Sequence, residues 1–544
     1  MNALALRVEA VAAGRARRRR RGLALAGLVV LLAIVSAHTV LVVDTDWERM
    51  GSLGAVMKSV ARFLAVDFSL IPQLLEPVLE TFMMACIGTL VGAILCIPVI
   101  WLGALNVTPS RWIGYPFGRF LMTMSRSIHE IVWALIFVSA VGLGSLAGIL
   151  ALAMRSIGFI AKITAEAIEN VDPKPIEAIK AVGGSKLQVL RYGIMPQVLP
   201  VVLGTIIFEW DINIRRSAIM GLVGAGGLGL TFHRQMVMFN WPGVTTVILA
   251  ILVLIVIGEI ASHYVPEGGD VMRGASPTRE WSRFRFPETP IRFLLLLAAL
   301  VFVGYAFVYL DVRIERLAEL FSRLGTLLAE RYYPPDLQFL ATPRYLASIL
   351  DSMQMAYLGA LIGILLAAPL AWFASYNMTP SRRFLYPWAR LVIMGCRAVH
   401  EMIWTILFVS ILGFGMLAGT LALALFCLGF AGKLFSEEIE AIDKGQVEAI
   451  RATGAGHLQV FVFAVLPQVR VAWTGISIYT WDVAFRAATV VGFFGAGGMG
   501  WYLQRHVQQL DNERVAAIIL SIVALVLVSE ILSAWARARI MRGK

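Results

Sequence analysis

Charge, cysteine and catalytic motifs are what this sequence has least of. Only 15% of its 544 residues are charged, whereas 59% are apolar, so the chain cannot be a string of soluble domains. Its 4 cysteines, Cys86, Cys96, Cys396 and Cys427, lie singly within apolar runs, and we expect neither disulfide bonds nor a metal site. No Gly-x-x-x-x-Gly-Lys-Ser/Thr motif is present, which excludes ATP hydrolysis by this chain, and there is no metalloenzyme motif or serine-nucleophile elbow. The sequence therefore does not predict an enzyme.

Long apolar runs are what the chain has instead. Runs of about 20 residues recur, which is the length that a helix needs to cross a bilayer core of roughly 30 Å. Such runs must be helical, because lipid offers no partner for backbone polar groups. We predict an all-α integral membrane protein with six spans in the first half, at roughly 22–43, 78–104, 119–141, 146–164, 197–222 and 243–263. Six more are predicted at roughly 292–310, 349–375, 390–412, 417–434, 468–493 and 514–534.

The second half of the chain repeats the first. At an offset of 271 residues, which separates Arg126 from Arg397, the matching segments align without a gap. Six spans is an even number, so we predict two parallel six-span halves, related by an axis along the membrane normal. The predicted divisions are a basic N-terminus (1–21), a first transport unit (22–263), a turn-rich linker (264–290), a second transport unit (291–536) and a basic tail (537–544).

The net charge of +12 predicts the orientation of the spans. No basic soluble domain is present, so we expect no nucleic-acid partner. The run from Arg15 to Arg21 precedes an apolar stretch that is too long for a signal peptide and lacks a cleavage site, which favours an uncleaved first span. We predict that both termini and the linker are cytoplasmic, and that segments 44–77 and 311–348 form short amphipathic helices at the outer surface.

A polar helix lies between the fourth and fifth span of each half. Glycine at its end permits a sharp turn, and an amphipathic helix lying on lipid headgroups is one interpretation. The pattern also resembles the coupling-loop signature of ABC importer permeases, with Ile179 and Ile450 as departures from it. That resemblance implies a short helix that docks onto a separate ATPase. The matching residues are Glu177, Ala178 and Gly183, and again Glu448, Ala449 and Gly454.

A motif in the third predicted span of each half resembles a more specific family of permeases. Arg-x-x-His-Glu-x-x-Trp, followed by Gly-x-Gly and Ala-Gly, begins at Arg126 and again at Arg397, and it is similar to the permease of phosphonate importers. This implies the type I ABC importer permease fold, as two permease units fused in tandem in a bacterial inner membrane, among membrane lipid. It also implies two ATPase subunits that use ATP and Mg²⁺, an extracytoplasmic substrate-binding protein, and a phosphonate-like anion as cargo. The chain itself is expected to bind no cofactor.

Ionisable residues within the spans are candidates for a translocation path, because charge in hydrocarbon is costly and generally faces a protein interior or water. Arg126 and Glu130 are spaced i,i+4, as are Asp211 and Arg215, so one interpretation is internal pairs that only hold the bundle together. The other is an anion path on the pseudo-twofold axis, since arginine offers a phosphonate two parallel hydrogen bonds. The candidate residues are Arg126, His129, Glu130, Arg215, Arg397, His400, Glu401 and Arg486.

Two glycine clusters follow the fifth span of each half. They lack the Lys-Ser/Thr of a phosphate-binding loop, and we predict flexible gates or tight turns. Their members are Gly224, Gly226 and Gly227 in the first half, and Gly495, Gly497 and Gly498 in the second.

An ion-gradient-driven secondary transporter is the competing function, since two parallel six-span halves also describe that class. The duplicated polar helix distinguishes the two, because a secondary transporter has no need of docking helices. A non-transporting membrane scaffold is a third possibility, and the mirrored charges within the spans disfavour it.

Overall fold

The computed structural model describes residues 20, 23–24, 26–50, 52–264 and 290–541, and its regular elements in these ranges are all helices. Residues 1–19 of the predicted N-terminus, most of the predicted linker 264–290 and the last three residues of the predicted tail lie outside them.

The two halves have the same order of helices. The first half contains α1 (Ala26–Asp44), α2 (Trp47–Met50), α3 (Leu53–Arg62), α4 (Ile71–Gly103), α5 (Gly114–Ser127), α6 (Glu130–Val141), α7 (Ser145–Glu169), α8 (Pro173–Ala181), α9 (Lys186–Gln188), α10 (Met195–Met220), α11 (Gly227–Val237) and α12 (Trp241–Tyr264). The second half contains α13 (Pro290–Tyr309), α14 (Ile314–Ala318), α15 (Leu320–Thr326), α16 (Leu337–Leu340), α17 (Pro343–Phe373), α18 (Leu385–Ala398), α19 (Glu401–Leu412), α20 (Met416–Glu440), α21 (Lys444–Ala452), α22 (His457–Val460), α23 (Leu466–Val491), α24 (Gly498–Gln508) and α25 (Asn512–Met541). Short 3₁₀ or π turns join several of them.

The predicted spans agree with these helices. Within the described residues, 9 helices are long and apolar enough to cross a membrane, and the bent pairs α5–α6 and α18–α19 raise the number to 11. α13 lies at the remaining predicted span, 292–310. The segments predicted at 44–77 and 311–348 do contain short helices, α2 and α3 in one and α14 to α16 in the other.

The third predicted span of each half is not one straight helix. α5 and α6 meet at an angle of 93°, and α18 and α19 at 90°. The break falls at His129, whose backbone is extended and whose side chain accepts a hydrogen bond from the backbone N–H of Ile131. His400 does the same for Met402. A side chain that caps a new helix in this way ends the old one, and sequence periodicity carries no sign of it.

Small residues allow the central helices of each half to approach closely. A Cβ added at Gly92 of α4 would lie 2.7 Å from the Cβ of Ser156 in α7. The matching glycine of α17, Gly363, has the same relation to Cys427 in α20, at 2.5 Å. Close packing through small residues is typical of helices in membranes, where burial of apolar surface gives no driving force between them.

The first helix of each half packs on the other half. The Tyr357 hydroxyl of α17 donates a hydrogen bond to the carbonyl of Val29 in α1, at 2.7 Å. At the end of α1, Asp44 accepts from the backbone N–H of Met416, at 2.5 Å. In return, Phe302 of α13 lies edge-on to Phe82 of α4. The two halves therefore exchange their first helices.

Candidate functional site

Two arginines connect the halves near the ends of α5 and α18. Arg126 donates a hydrogen bond to the Glu530 carboxylate of α25, at 2.7 Å, and Ser127 donates to the same carboxylate at 3.3 Å. Arg397 lies 3.2 Å from Glu259 of α12. The i,i+4 pair of Arg126 with Glu130, which was one of the two interpretations, is therefore not formed, and neither is the matching pair of Arg397 with Glu401. Each would need a continuous helix, and the helix breaks between the two residues.

His129, Glu130, His400 and Glu401 meet between the halves, and all are buried except His400, whose side chain is 11% exposed. The two imidazole rings lie edge-on with centroids 6.4 Å apart. His400 Nε2 lies 3.4 Å from Glu130, and His129 Nε2 lies 3.7 Å from Glu401. Each Nδ1 accepts a hydrogen bond from a backbone N–H, and the Nδ1 of His400 also lies 3.1 Å from Glu401 of its own half, so both ring nitrogens of His400 face a carboxylate. We call these four residues the axial quartet.

The i,i+4 pairs within the fifth predicted span are present in both halves. Arg215 contacts Asp211 directly, and Arg486 lies 3.0 Å from Asp482. Asp211 also lies 3.9 Å from Arg397 of the other half. Asp482 accepts a hydrogen bond from Ser529 of α25, at 3.0 Å. These four residues thus pair internally, as one interpretation predicts, and Asp211 also links its pair to the cross-half arginine.

A polar network in the described first half has no equivalent at the matching positions of the second half. Asn213 donates to Thr89 at 2.9 Å and to Ser156 at 2.8 Å, and Ser156 donates to Glu209 at 3.0 Å. Arg216 donates to Glu209 at 2.7 Å and to Asn213 at 3.1 Å. At the matching positions the second half has an apolar cluster, made of Ala360, Cys427 and Ala484 with Ile364, Phe426 and Trp481 packed on them. Thr480 and Ala487 stand where the first half has Glu209 and Arg216.

Arg155 of α7 is the remaining charged residue of this region. Its Nε is 3.6 Å from Glu130, and the Nε of Arg216 is 3.6 Å from the other oxygen of the same carboxylate. The matching residue of the second half is Phe426. Glu130 therefore lies within 4.0 Å of two arginines and both histidines, whereas the two histidines are the only basic side chains within 4.0 Å of Glu401 in the described part of the chain.

The glycine clusters form tight turns with positive φ in both halves. Gly226 has a φ of +87°, and a Cβ there would come within 2.2 Å of Glu80 in α4. Glu80 accepts from the backbone N–H of Gly227 at 2.7 Å and from the Ser145 hydroxyl at 2.5 Å. Gly224, Gly495, Gly497 and Gly498 likewise have positive φ. The turns join α4, α7 and α11, and a gating function for these glycines stays a prediction.

The polar helices are α8 and α21, and each begins with a capping aspartate. Asp172 accepts from the backbone N–H of Lys174, and Asp443 from that of Gly445. No residue of α8 is buried. Gly183, with a φ of +81°, follows the end of α8. In the segment after α8, Val182 and Leu187 are 84% and 73% exposed. α21 has one buried residue, Val447, so both helices keep most of their surface accessible.

Sequence reasoning did not include Glu259, Glu530, Arg155, Arg216 or Glu209 among the path residues. Glu259 and Glu530 occupy matching positions of the repeat, which is a signal that two carboxylates share one function. Arg155, Arg216 and Glu209 give the opposite signal, because the second half has a different type of residue at each matching position. No group of three or more His, Cys, Asp or Glu side chains suited to a metal occurs in the described ranges.

A family model described as a binding-protein-dependent transport system inner membrane component matches residues 93–266 and again residues 335–542. The phosphate-import permease protein PhnE of Mycolicibacterium smegmatis is 33% identical over 463 residues, which are 85% of this chain and 85% of that protein. The putative phosphite transport system permease protein HtxC of Stutzerimonas stutzeri is 32% identical over 239 residues, or 44% of this chain and 83% of that protein. Among solved structures, the inward-facing MetNI methionine ABC transporter covers 38% of this chain and 98% of its own, at 22% identity and a TM-score of 0.34.

Proposed function

Since the chain belongs to the family of binding-protein-dependent transport system inner membrane components, we propose that it forms the whole transmembrane pathway of an ATP-driven importer for a phosphorus oxyanion. It is a permease subunit with two family domains in one polypeptide, and ATP is hydrolysed by a separate partner. Family membership decides against the ion-gradient-driven alternative. We further propose that the chain lies in a bacterial inner membrane with cytoplasmic termini. Its proposed partners are two ATPase subunits and an extracytoplasmic binding protein.

The axial quartet is the observation that supports this pathway. Four ionisable side chains, two from each half and three of them buried, meet where the halves meet, and the contacts of each histidine reach the carboxylate of the opposite half. Buried charge of this kind is costly and is generally found where an ion or a polar substrate passes. When the halves separate, the same side chains become exposed to the space between them.

We propose that α8 and α21, which we call the docking helices, transmit the movement of the ATPase to the two halves. α8 and α21 are capped, exposed and repeated, so that one ATPase subunit can bind each. We expect ATP binding to draw the two ATPase subunits together, and the docked helices then move the halves outward toward a loaded binding protein. Glu177, Ala178 and Gly183, with Glu448, Ala449 and Gly454, are the proposed coupling residues.

The substrate class is supported by the relatives, one described as importing phosphate and another as part of a phosphite transport system. Arginine suits such anions because its planar fork offers two parallel hydrogen bonds. Arg126, Arg215, Arg397 and Arg486 remain the proposed path arginines, with His129, Glu130, His400 and Glu401 between them.

Reconstitution tests this function directly. The full chain is placed in proteoliposomes with its ATPase, the binding protein is added outside, and uptake of radiolabelled phosphate, phosphite and methylphosphonate is measured. We expect uptake of at least one probe that needs both ATP and the binding protein. Uptake that persists without ATP and collapses with an ionophore would contradict the proposal in favour of a secondary transporter.

A further inference from the structure

We propose that the transported anion binds on one side of the pseudo-twofold axis, at Arg155 of the first half, with Arg216 beside it. This inference rests on the function proposed above and makes it more specific. Its basis is the difference between the halves. Where the first half has two arginines and a glutamate, the second half has Phe426, Ala487 and Thr480.

Arg216 is already provided with partners. Glu209 and Asn213 each accept one of its hydrogen bonds, and Asn213 is itself fixed by Thr89 and Ser156. A buried network in which each member is bonded to the next holds its side chains in one arrangement. Arg216 therefore presents a fixed positive charge whose cost of burial is offset by Glu209.

Arg155 differs, because its hydrogen-bond donors are unused. A guanidinium carries five N–H groups, and none of those of Arg155 makes a hydrogen bond to another described residue. Its Nε is buried without a partner, and its only close carboxylate, Glu130, is 3.6 Å away. The side chain is 17% exposed, so its end is within reach of a small molecule entering between the halves.

The alternative is that Arg155 serves only to neutralise Glu130. The second half argues against this, because Glu401 is buried at the matching place with no arginine within 4.0 Å of its carboxylate among the described residues. There, residues 426 and 487 are Phe and Ala, and only the histidines approach the carboxylate. A carboxylate in this position therefore does not require an arginine close to it. Glu209 accounts for Arg216, and Arg155 needs another explanation.

A phosphorus oxyanion provides that explanation. It can accept two parallel hydrogen bonds from the free edge of Arg155, and Arg216 adds a second positive charge nearby. On the other side of the axis, the cluster around Cys427 and Phe426 contains no charged side chain that could bind an anion. A single anion is thus held by one half and is not shared equally between them.

Leucine at two matching positions tests this inference. Arg155→Leu and Phe426→Leu are compared in the proteoliposomes described above, with radiolabelled methylphosphonate, phosphite and phosphate as probes. We expect Arg155→Leu to lower uptake about 10- to 100-fold, since charge-assisted hydrogen bonds of this kind are lost. Phe426→Leu should lower it by less than about threefold, because a smaller apolar side chain in an apolar cluster is tolerated.

Arg155→Lys and Arg155→Gln complete the series. Lysine keeps the charge without the planar fork, so we expect uptake between that of Arg155→Leu and that of the unsubstituted chain. Glutamine keeps the polarity without the charge, and it should resemble leucine. It also serves as the second charge-removing variant where leucine prevents folding, which the melting temperature of the purified complex reveals.

The outcomes are distinguishable. Unsubstituted protein that takes up none of the probes would overturn the proposed function and this inference with it. Normal uptake by the unsubstituted chain, together with equal losses in Arg155→Leu and Phe426→Leu, would overturn the one-sided site alone. So would Arg155→Gln that folds and transports at the unsubstituted rate.

Discussion

Arg126 and Glu530 are 404 positions apart in the chain, and their side chains are joined by a hydrogen bond of 2.7 Å. Arg397 and Glu259 make the reciprocal contact at 3.2 Å. The pseudo-twofold axis relates the two pairs, so each half gives one arginine and one glutamate. Separation of the halves breaks both contacts together, which makes them suited to hold one state of the transporter.

Removal of these arginines should reduce transport, and the correct control removes their true partners. We expect Arg126→Gln with Arg397→Gln to lower anion uptake about tenfold and to lower the melting temperature, because Glu530 and Glu259 lose a partner. The quadruple variant that adds Glu530→Gln and Glu259→Gln leaves no orphan carboxylate and should regain stability. If it also transports normally, these arginines only tie the halves together and do not act on the anion.

The axial quartet should separate during the transport cycle. In a cysteine-free background, His129→Cys with His400→Cys places two thiols where the rings are 6.4 Å apart. We expect a short bifunctional maleimide to cross-link them without nucleotide and to do so at least fivefold less when a non-hydrolysable ATP analogue holds the ATPase closed. Equal cross-linking in both states contradicts an opening at the quartet. Labelling of each single cysteine by a monofunctional maleimide in both states serves as a control for reagent access.

Bulky side chains at the ends of α8 and α21 should uncouple transport from ATP hydrolysis by the partner ATPase. Gly183 and Gly454 have φ values of +81° and +80°, and no atom lies within 4 Å of an added Cβ. Asparagine tolerates this backbone conformation and tryptophan does not. We expect the double tryptophan variant to lose ATP-driven uptake almost entirely and the double asparagine variant to keep at least about half. Similar uptake by the two variants argues against docking at this surface.

Glu80 should stabilise the first half more than Asp351 stabilises the second. Glu80 accepts hydrogen bonds from Gly227 and Ser145, whereas the matching Asp351 makes none with the described residues. Glu80→Ala should cost about 2 kcal/mol of unfolding free energy, seen as a lower melting temperature in detergent, and Asp351→Ala should cost less than half of that. Equal losses of unfolding free energy would show that the hydrogen bonds accepted by Glu80 do not distinguish it from Asp351.

The predicted orientation requires that both the linker and the C-terminus face the cytoplasm. Reporter fusions after Arg285 and after Lys544 should both give cytoplasmic signals, because an even number of spans precedes each point. A periplasmic signal at either point contradicts the parallel arrangement of the halves.

Sequence periodicity and the repeat were enough to predict the positions of the spans, the equivalence of the halves and the helices α8 and α21. They did not predict the partners of Arg126 and Arg397. The i,i+4 rule applies within one helix, and here the helix ends at His129 because an imidazole caps the next one. Partners 404 residues apart depend on how twelve helices pack, which no local pattern records.

The asymmetry at Arg155 was visible in the sequence, but its meaning was not. Phe426 stands at the matching position, as a comparison of the halves shows. Only the structure shows that Arg155 lies 3.6 Å from the buried Glu130 and that Ser156 and Asn213 belong to the same region as Arg216. A departure from a repeat gains a functional interpretation when its surroundings are known.

The exchange of first helices sets an order for biosynthesis. Val29 in α1 is bonded to Tyr357, which the ribosome adds 328 residues later. At about 5–20 residues per second, α1 waits in the bilayer for roughly 15–65 s before its binding site on α17 exists. During that time its apolar surface faces lipid, or whatever insertion factor the cell provides. The first half produced alone would therefore leave α1 without its binding site on α17. Co-expression of the two halves as separate chains should restore the transport activity that neither half has alone.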